Sequence, residues 1–281
     1  MFIAYLQYVL PHHLLTGLVY RITRITWKPL KNLLIRLFIR QFKVDMSIAE
    51  EEDSNDYEHF NAFFTRALVP EARPIDESTN AIVSPIDGAV SEIGGISETK
   101  LLQAKNRDFS LDDLLAGDDE TIQTFRNGAF CTLYLSPRDY HRIHMPVDGA
   151  LQKMIYVPGR LFAVNPPSVN TVDRLFARNE RVINIFNTDH GKMALIMVGA
   201  LFVGSMETVW AGQITPANKR EIQTYNFDMS KPTFSKGDEI GRFNMGSTVI
   251  LLFPSETIHW SAGLQAGTSI TMGEKIGELL Q

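Results

Sequence analysis

The chain has one cysteine, Cys131, among its 281 residues, which excludes an internal disulfide framework. The setting of that cysteine, GAFCTLYLSP, is apolar and marks an inert core thiol, not a nucleophile. Long hydrophobic runs are missing as well. Met1 to Leu10 is apolar but stops at Pro11, far short of the roughly 18–20 residues a membrane-spanning helix needs. Basic residues follow that stretch instead of preceding it, so neither a span nor a secretory signal is expected. Internal repeats and low-complexity tracts are also lacking, which excludes solenoid and disordered classes.

Acidic residues are absent from positions 1–44, which hold seven basic ones: Arg21, Arg24, Lys28, Lys31, Arg36, Arg40 and Lys43. The remainder carries the other 20 of 27 basic residues against all 32 acidic ones, a net −12 inside an overall −5. Such an asymmetry points to a basic arm that meets an anionic partner, nucleic acid or a membrane surface. Positions 13–26 and 28–43 have helical period. In the second, Leu30, Leu33, Leu34, Leu37, Phe38 and Phe42 share a face opposite Lys28, Arg36, Arg40 and Lys43, with Lys31 on the flank. Leu14, Leu15, Leu18, Val19 and Ile22 form a similar stripe in the first, and Tyr8, Tyr20 and Trp27 punctuate the region. A basic face, a broad apolar face and interfacial aromatics describe helices lying in a membrane surface. The competing reading packs the same helices on their own domain with basic faces outward. Nucleic acid fits poorly, because the aromatics alternate with long aliphatics.

An acidic connector (45–56) and an amphipathic helix over 57–68 follow. From about residue 80 short β-branched and aromatic runs alternate with Gly, Pro and Asp turns, as in AIVSPIDGAVSEIGG, RVINIFNT and STVILLF. SLDDLLAG (110–117) reads as one short helix capped by Ser110. The expected fold class is α+β, with a β-rich core and N-terminal amphipathic helices.

Reactive groups concentrate in three places. SPIDGAV holds Asp87 in an Asp-Gly turn, a motif whose usual role is structural. SPRDYHRIHMPVDG holds His141 and His144, which spacing alone reads as metal ligands, a base with a helper, or unrelated surface groups. With no third ligand nearby, metal is not expected. The third place is Gly246-Ser247, in the turn that feeds the apolar run Val249–Phe253. A serine, a histidine and an aspartate could make a triad, but no GxSxG elbow is present and nearly every protein of this size contains those residues.

A resemblance narrows the choice. FFTRALVPEARPID (63–76), SPIDGAV (84–90), YHRIHMPVDG (140–149), YVPGRLFAVN (156–165), LFARNERV (175–182), VGALFVGSMETVW (198–210) and KGDEIGRFNMGSTVILLF (236–253) occur in the order found in phosphatidylserine decarboxylases. The chain resembles that pyruvoyl-dependent family over nearly its whole length, through GTSITMGEKIGELL near its end. Met245 stands where the family usually has leucine, a volume-conserving swap.

The resemblance implies that Ser247 attacks the Gly246 carbonyl, with His144 as base and Asp87 orienting it. Glycine there leaves the attack unobstructed. Ester formation, β-elimination and hydrolysis would leave a β chain 1–246, an α chain 247–281 and a covalent pyruvoyl group from Ser247. That group would form a Schiff base with the head group of phosphatidylserine and yield phosphatidylethanolamine and CO₂. His141 is a candidate proton donor; its alternative role is a hydrogen-bonded neighbour that positions the loop. His12, His13, His59, His190 and His259 are taken as structural. Arg73, Arg142 and Arg178 are candidates for phosphate contacts or salt bridges. The implied partners are phosphatidylserine, an anionic membrane surface and the chain's own two fragments as a heterodimer, with no nucleic acid. The implied organisation is a membrane-associating arm (1–44) before a catalytic domain (45–281), peripheral on the cytoplasmic face of the cell membrane. VDGAL and KGDEIGRF are similar to turns of barrel-sandwich hybrid domains. Three rivals remain: a pyruvoyl-dependent decarboxylase of a soluble amino acid, a non-enzymatic membrane-surface protein, and a zinc hydrolase using His141 and His144.

Overall fold

The apolar runs after residue 80 satisfy their backbone groups by pairing with one another in antiparallel ladders. The computed structural model describes residues 7–105, 107–202, 205–215, 221–227, 232–244 and 247–280. The strands that place the site begin with β1 (Gly88–Gly95), β2 (Ala129–Leu135), β3 (Arg142–His144), β4 (Gly149–Val157) and β5 (Arg181–Thr188). They continue with β6 (Gly191–Val198), β7 (Met206–Thr208), β8 (Glu239–Phe243) and β9 (Ser247–Phe253). The large sheet runs β4-β5-β6-β9-β2-β1, extended by Gln223–Asn226 beyond β4 and Ser269–Ile270 beyond β1. A smaller sheet runs Gly212–Gln213, β7, β8, β3. The architecture is α+β, mostly strands with a few helices, and among the described residues no sheet closes into a barrel.

Strand β9 is the centre of the large sheet. It pairs with β2 on one side and β6 on the other, and every residue from Ser247 to Phe253 is buried. An unbroken apolar run is what a strand covered on both faces requires. One extended core of strand residues surrounds it. A second, small core joins Ile35, Val44, Tyr57, Phe60, Phe63 and Phe64.

Of the N-terminal helices α1 (His12–Ile22), α2 (Lys28–Phe42) and α3 (Phe60–Phe64), the second core draws on α2, α3 and the segment between them. Helix α1 stops before the expected residue 26. The Thr23 carbonyl accepts the Asn61 N–H at 2.9 Å instead of continuing the helical ladder. The helix expected over 57–68 shrinks to α3 because the chain after it turns into extended pairing with the acidic connector. Glu50 N–H reaches the Ala67 carbonyl at 3.0 Å, and Val69 N–H the Ile48 carbonyl at 3.0 Å. Ser110 caps Leu111–Leu114 as expected, and Asp119–Phe125 adds a helix that the sequence pattern did not signal.

Helix α2 buries Ile35 against the second core, yet both α1 and α2 also bury polar groups and leave large apolar ones outside. Polar groups point inward: His12, Thr16 and Lys31 are buried, and Lys31 Nζ donates to the Asn55 carbonyl at 2.6 Å. Leu14, Leu18, Ile22, Leu33, Leu37 and Phe42 are exposed, Leu14 at 73% and Leu37 at 54%. Nine of the fourteen exposed large hydrophobic residues among those described fall between Tyr8 and Phe42.

Candidate active site

Three strand ends deliver the expected site residues to one region. Ser247 opens β9 opposite Leu135, the last residue of β2. On the other side of β2, Ala89 pairs with Tyr134, which brings Asp87 to the same end of the sheet just before β1. Gly88 permits that approach: a Cβ on it would lie 2.2 Å from the Tyr134 carbonyl oxygen. After β2 the chain turns through residues 136–141 into β3, where the His144 N–H donates to the Pro85 carbonyl at 2.9 Å. Strand β3 pairs with β8, whose continuation leads to Ser247. Gly246 and Met245 lie outside the described residues.

Within this region the side chains are not joined as a hydrogen-bonded triad. Asp87 is gripped by Arg73, with Nε donating to Oδ1 at 2.7 Å and Nη2 to Oδ2 at 2.5 Å, and Oδ1 also accepts the Met272 N–H at 2.8 Å. Asp87 makes no hydrogen bond to His144 among the described residues, so it does not set the His144 tautomer by direct contact here. The Gly237 carbonyl does so instead, at 2.7 Å from Nδ1. A carbonyl only accepts, so Nδ1 carries the proton and Nε2 is free to accept from the Tyr140 hydroxyl at 3.0 Å. Burial lowers the His144 pKa below the usual histidine range, with the Gly237 bond opposing it. Tyr140 is raised to about 12 by the same burial. At neutral pH both groups are uncharged, a base poised behind a phenol.

His141 is fully buried. Its Nδ1 donates to the Asp139 carbonyl at 2.8 Å, its ring centre lies 4.0 Å from that of Phe64, and its Nε2 has no partner. Burial pulls its pKa down to about 3. The Ser247 hydroxyl is likewise buried and without a partner. An unpartnered hydroxyl costs free energy in a packed interior, and the Thr132 and Thr248 hydroxyls close by in the sheet share that condition, so what sets Ser247 apart is its place at the head of β9. The arrangement also fits conversion of residue 247 to a pyruvoyl group, since no described neighbour hydrogen-bonds the serine oxygen. Among the described residues, no three His, Cys, Asp or Glu side chains are placed to share a metal ion.

Of the other residues noted in the sequence, Arg73 holds Asp87, Arg142 pairs with Glu239 at 2.8 Å, and Arg178 stacks on Phe162 at 4.9 Å. His59 caps α3 by accepting the Ala62 N–H. Tyr140 and Arg66 were not singled out by sequence reasoning. Both lie inside the motifs YHRIHM and FFTRAL, so their signal was position within a motif, without a partner to give them a role.

Comparison with known proteins identifies the family. The family model described as phosphatidylserine decarboxylase matches residues 60–278, and a second, described as PSD, matches residues 2–43. A phosphatidylserine decarboxylase proenzyme of Nitrosococcus oceani is 53% identical over 277 residues, covering 98% of this chain and 90% of its own length. Proenzymes of the same description from Ectopseudomonas mendocina and Saccharophagus degradans are 51% and 52% identical, covering 96% and 99% of this chain and 96% and 97% of their own. By the family model over residues 60–278 and relatives about half identical over nearly its whole length, the chain belongs to the phosphatidylserine decarboxylase family.

Proposed function

We propose that this chain is the precursor of a pyruvoyl-dependent phosphatidylserine decarboxylase, which cleaves itself at Gly246-Ser247 and then converts phosphatidylserine to phosphatidylethanolamine and CO₂. One observation carries the reading. In a chain about half identical to decarboxylase proenzymes, the unpartnered Ser247 hydroxyl opens the central buried strand at the point where Asp87 and His144 arrive.

In the first reaction Ser247 Oγ attacks the Gly246 carbonyl, an ester replaces the amide, and the hydroxyl proton passes to His144 Nε2. For that transfer Tyr140 must release Nε2. The Asp87 carboxylate, paired with Arg73, stabilises the imidazolium through space. Elimination across Cα–Cβ of residue 247 releases the Gly246 carboxylate. Hydrolysis with loss of ammonia then leaves a pyruvoyl group at the new N-terminus, and the β and α chains stay together as a heterodimer. That group supplies a carbonyl that takes up the head-group amine and the electrons released as CO₂ departs. His141, neutral and with Nε2 unpartnered, supports a role as the group that handles the proton returned to the α-carbon.

The arm 1–44 holds the enzyme against anionic bilayer, on the cytoplasmic face of the cell membrane. Three observations support this: the outward apolar faces of α1 and α2, the seven unopposed basic residues, and an apolar cavity of about 310 Å³ lined by Ile22, Leu34, Leu37, Phe38, Phe42 and Phe60. No helix among the described residues is long and apolar enough to cross a membrane. The separate family matches over 2–43 and 60–278 support a division of the chain near residue 44. The barrel-sandwich hybrid analogy draws support from the Asp148-Gly149 and Gly237-Asp238 turns, which lead directly into β4 and β8.

The test is intact mass spectrometry of the purified protein beside Ser247→Ala, with CO₂ release from phosphatidylserine vesicles measured on both. Two fragments splitting after Gly246 together with CO₂ release are expected of the wild type, and neither of Ser247→Ala. A wild type that stays intact and inactive on these vesicles would sink the reading.

A further inference from the structure

The arginines in and around the site are nearly all accounted for. Arg73 is taken by Asp87, and Arg142 and Arg242 by Glu239. Arg181, deep in the core, donates to the carbonyls of Asp113, Leu114, Ala177 and Asn179. Arg66 is different. It is 4% exposed, yet its single hydrogen bond among the described residues is a long one, Nη2 to the Arg138 carbonyl at 3.3 Å. Its Nε has no partner, and no carboxylate pairs with it among the described residues. The Phe63 ring centre lies 5.5 Å from the guanidinium carbon, a contact that leaves the N–H groups unused.

A desolvated guanidinium without a counter-charge is strongly unfavourable. The chain has carboxylates close enough to feel it, Asp87 and Asp139, but neither closes on it. Asp87 is occupied by Arg73 and the Met272 N–H, and Asp139 accepts the Ser136 N–H at 2.7 Å. The charge of Arg66 also reaches His141. A buried cation with unused donors beside the candidate catalytic groups is built to receive an anion.

We infer that Arg66 binds the phosphodiester oxygens of the lipid head group, an inference that rests on the decarboxylase reading above. The head group carries two anions. A cation on the carboxylate would stabilise the charge that must disappear as CO₂ leaves, and so would oppose the reaction. The phosphodiester keeps its charge from substrate to product, and a planar guanidinium fork matches two of its oxygens.

The experiment uses cleaved wild-type enzyme, Arg66→Lys and Arg66→Met, each first shown by intact mass to have processed. Short-chain phosphatidylserine in detergent micelles is the substrate. Glycerophosphoethanolamine, which has the phosphodiester and no carboxylate, is the competitive inhibitor. KM is expected to rise roughly ten- to a hundredfold in Arg66→Met, with kcat changed less than about threefold. Arg66→Lys should recover part of the loss, and the inhibition constant should rise by the same factor as KM. A raised KM with unchanged inhibition would place Arg66 on the carboxylate and overturn the assignment. Unchanged KM in both variants would overturn it while leaving the decarboxylase reading intact, whereas an inactive wild type would sink that reading itself. If Arg66→Met does not process, Arg66→Lys carries the same comparison, since a lysine lacks the second parallel donor.

Discussion

Arg73 and Asp87 form a two-point ion pair, at 2.7 and 2.5 Å, with the Met272 N–H completing the grip on Oδ1. The side chains are 16% and 9% exposed, so most of their water has been replaced by each other. Arg73→Ala leaves a nearly buried carboxylate with one backbone donor. We expect it to cost about 3 kcal/mol, read by urea unfolding in a Ser247→Ala background that keeps both chains uncleaved. Self-cleavage should slow at least tenfold in the Arg73→Ala single variant, with partial recovery in Arg73→Lys. A variant as stable and as quickly processed as wild type would contradict the pairing.

Tyr140 donates to the nitrogen His144 needs as a base. That bond favours the neutral ring, as does burial, so Tyr140→Phe should let the His144 pKa move back up toward about 6.5. Self-cleavage timed by gel between pH 4.5 and 8 should then show its acid limb shifted upward. An acid limb that does not move would remove His144 from the role of base.

His141 is neutral in the fold, with its pKa at about 3, while an unfolded chain protonates it near 6.5. Below pH 6.5 the unfolded state therefore binds the additional proton and stability falls as pH falls. It falls by about 1.4 kcal/mol per pH unit for this one group until the folded pKa is reached. Ser247→Ala should lose thermal stability between pH 6.5 and 5 accordingly, and His141→Asn in the same background should flatten that slope. Equal slopes would show that His141 is not buried as a neutral ring.

Leu18 and Leu37 face outward, so replacing them should not disturb the fold. If they insert into lipid, Leu18→Glu and Leu37→Glu should each weaken sedimentation with anionic vesicles by roughly tenfold, the burial free energy of one leucine. The melting temperature should stay within a degree or two. Vesicle binding that survives both changes would move the lipid contact elsewhere.

Much of this was legible before any coordinates. The run Val249–Phe253 announced a strand covered on both faces, and Ser110 announced a capped turn. The motif order identified the family, because local patterns carry their meaning in adjacent residues. The helical period of 13–26 and 28–43 was equally plain, but not which face turns inward. That choice was settled by Lys31 reaching Asn55 and His12 receiving the Leu161 N–H, contacts between distant residues. The helix expected over 57–68 was overruled for the same reason, by pairing with residues 48–50.

The sequence by itself determined the chemistry on offer: one serine after a glycine, two histidines three apart, an aspartate in a turn, and a basic arm without acids. Only the tertiary structure decided who holds whom. Asp87 went to Arg73, His144 to Gly237 and Tyr140, and Arg66 to no carboxylate among the described residues. The physical reason is that hydrogen bonds and charges act over a few ångströms of space, and strand pairing brings together residues that the chain keeps more than a hundred positions apart.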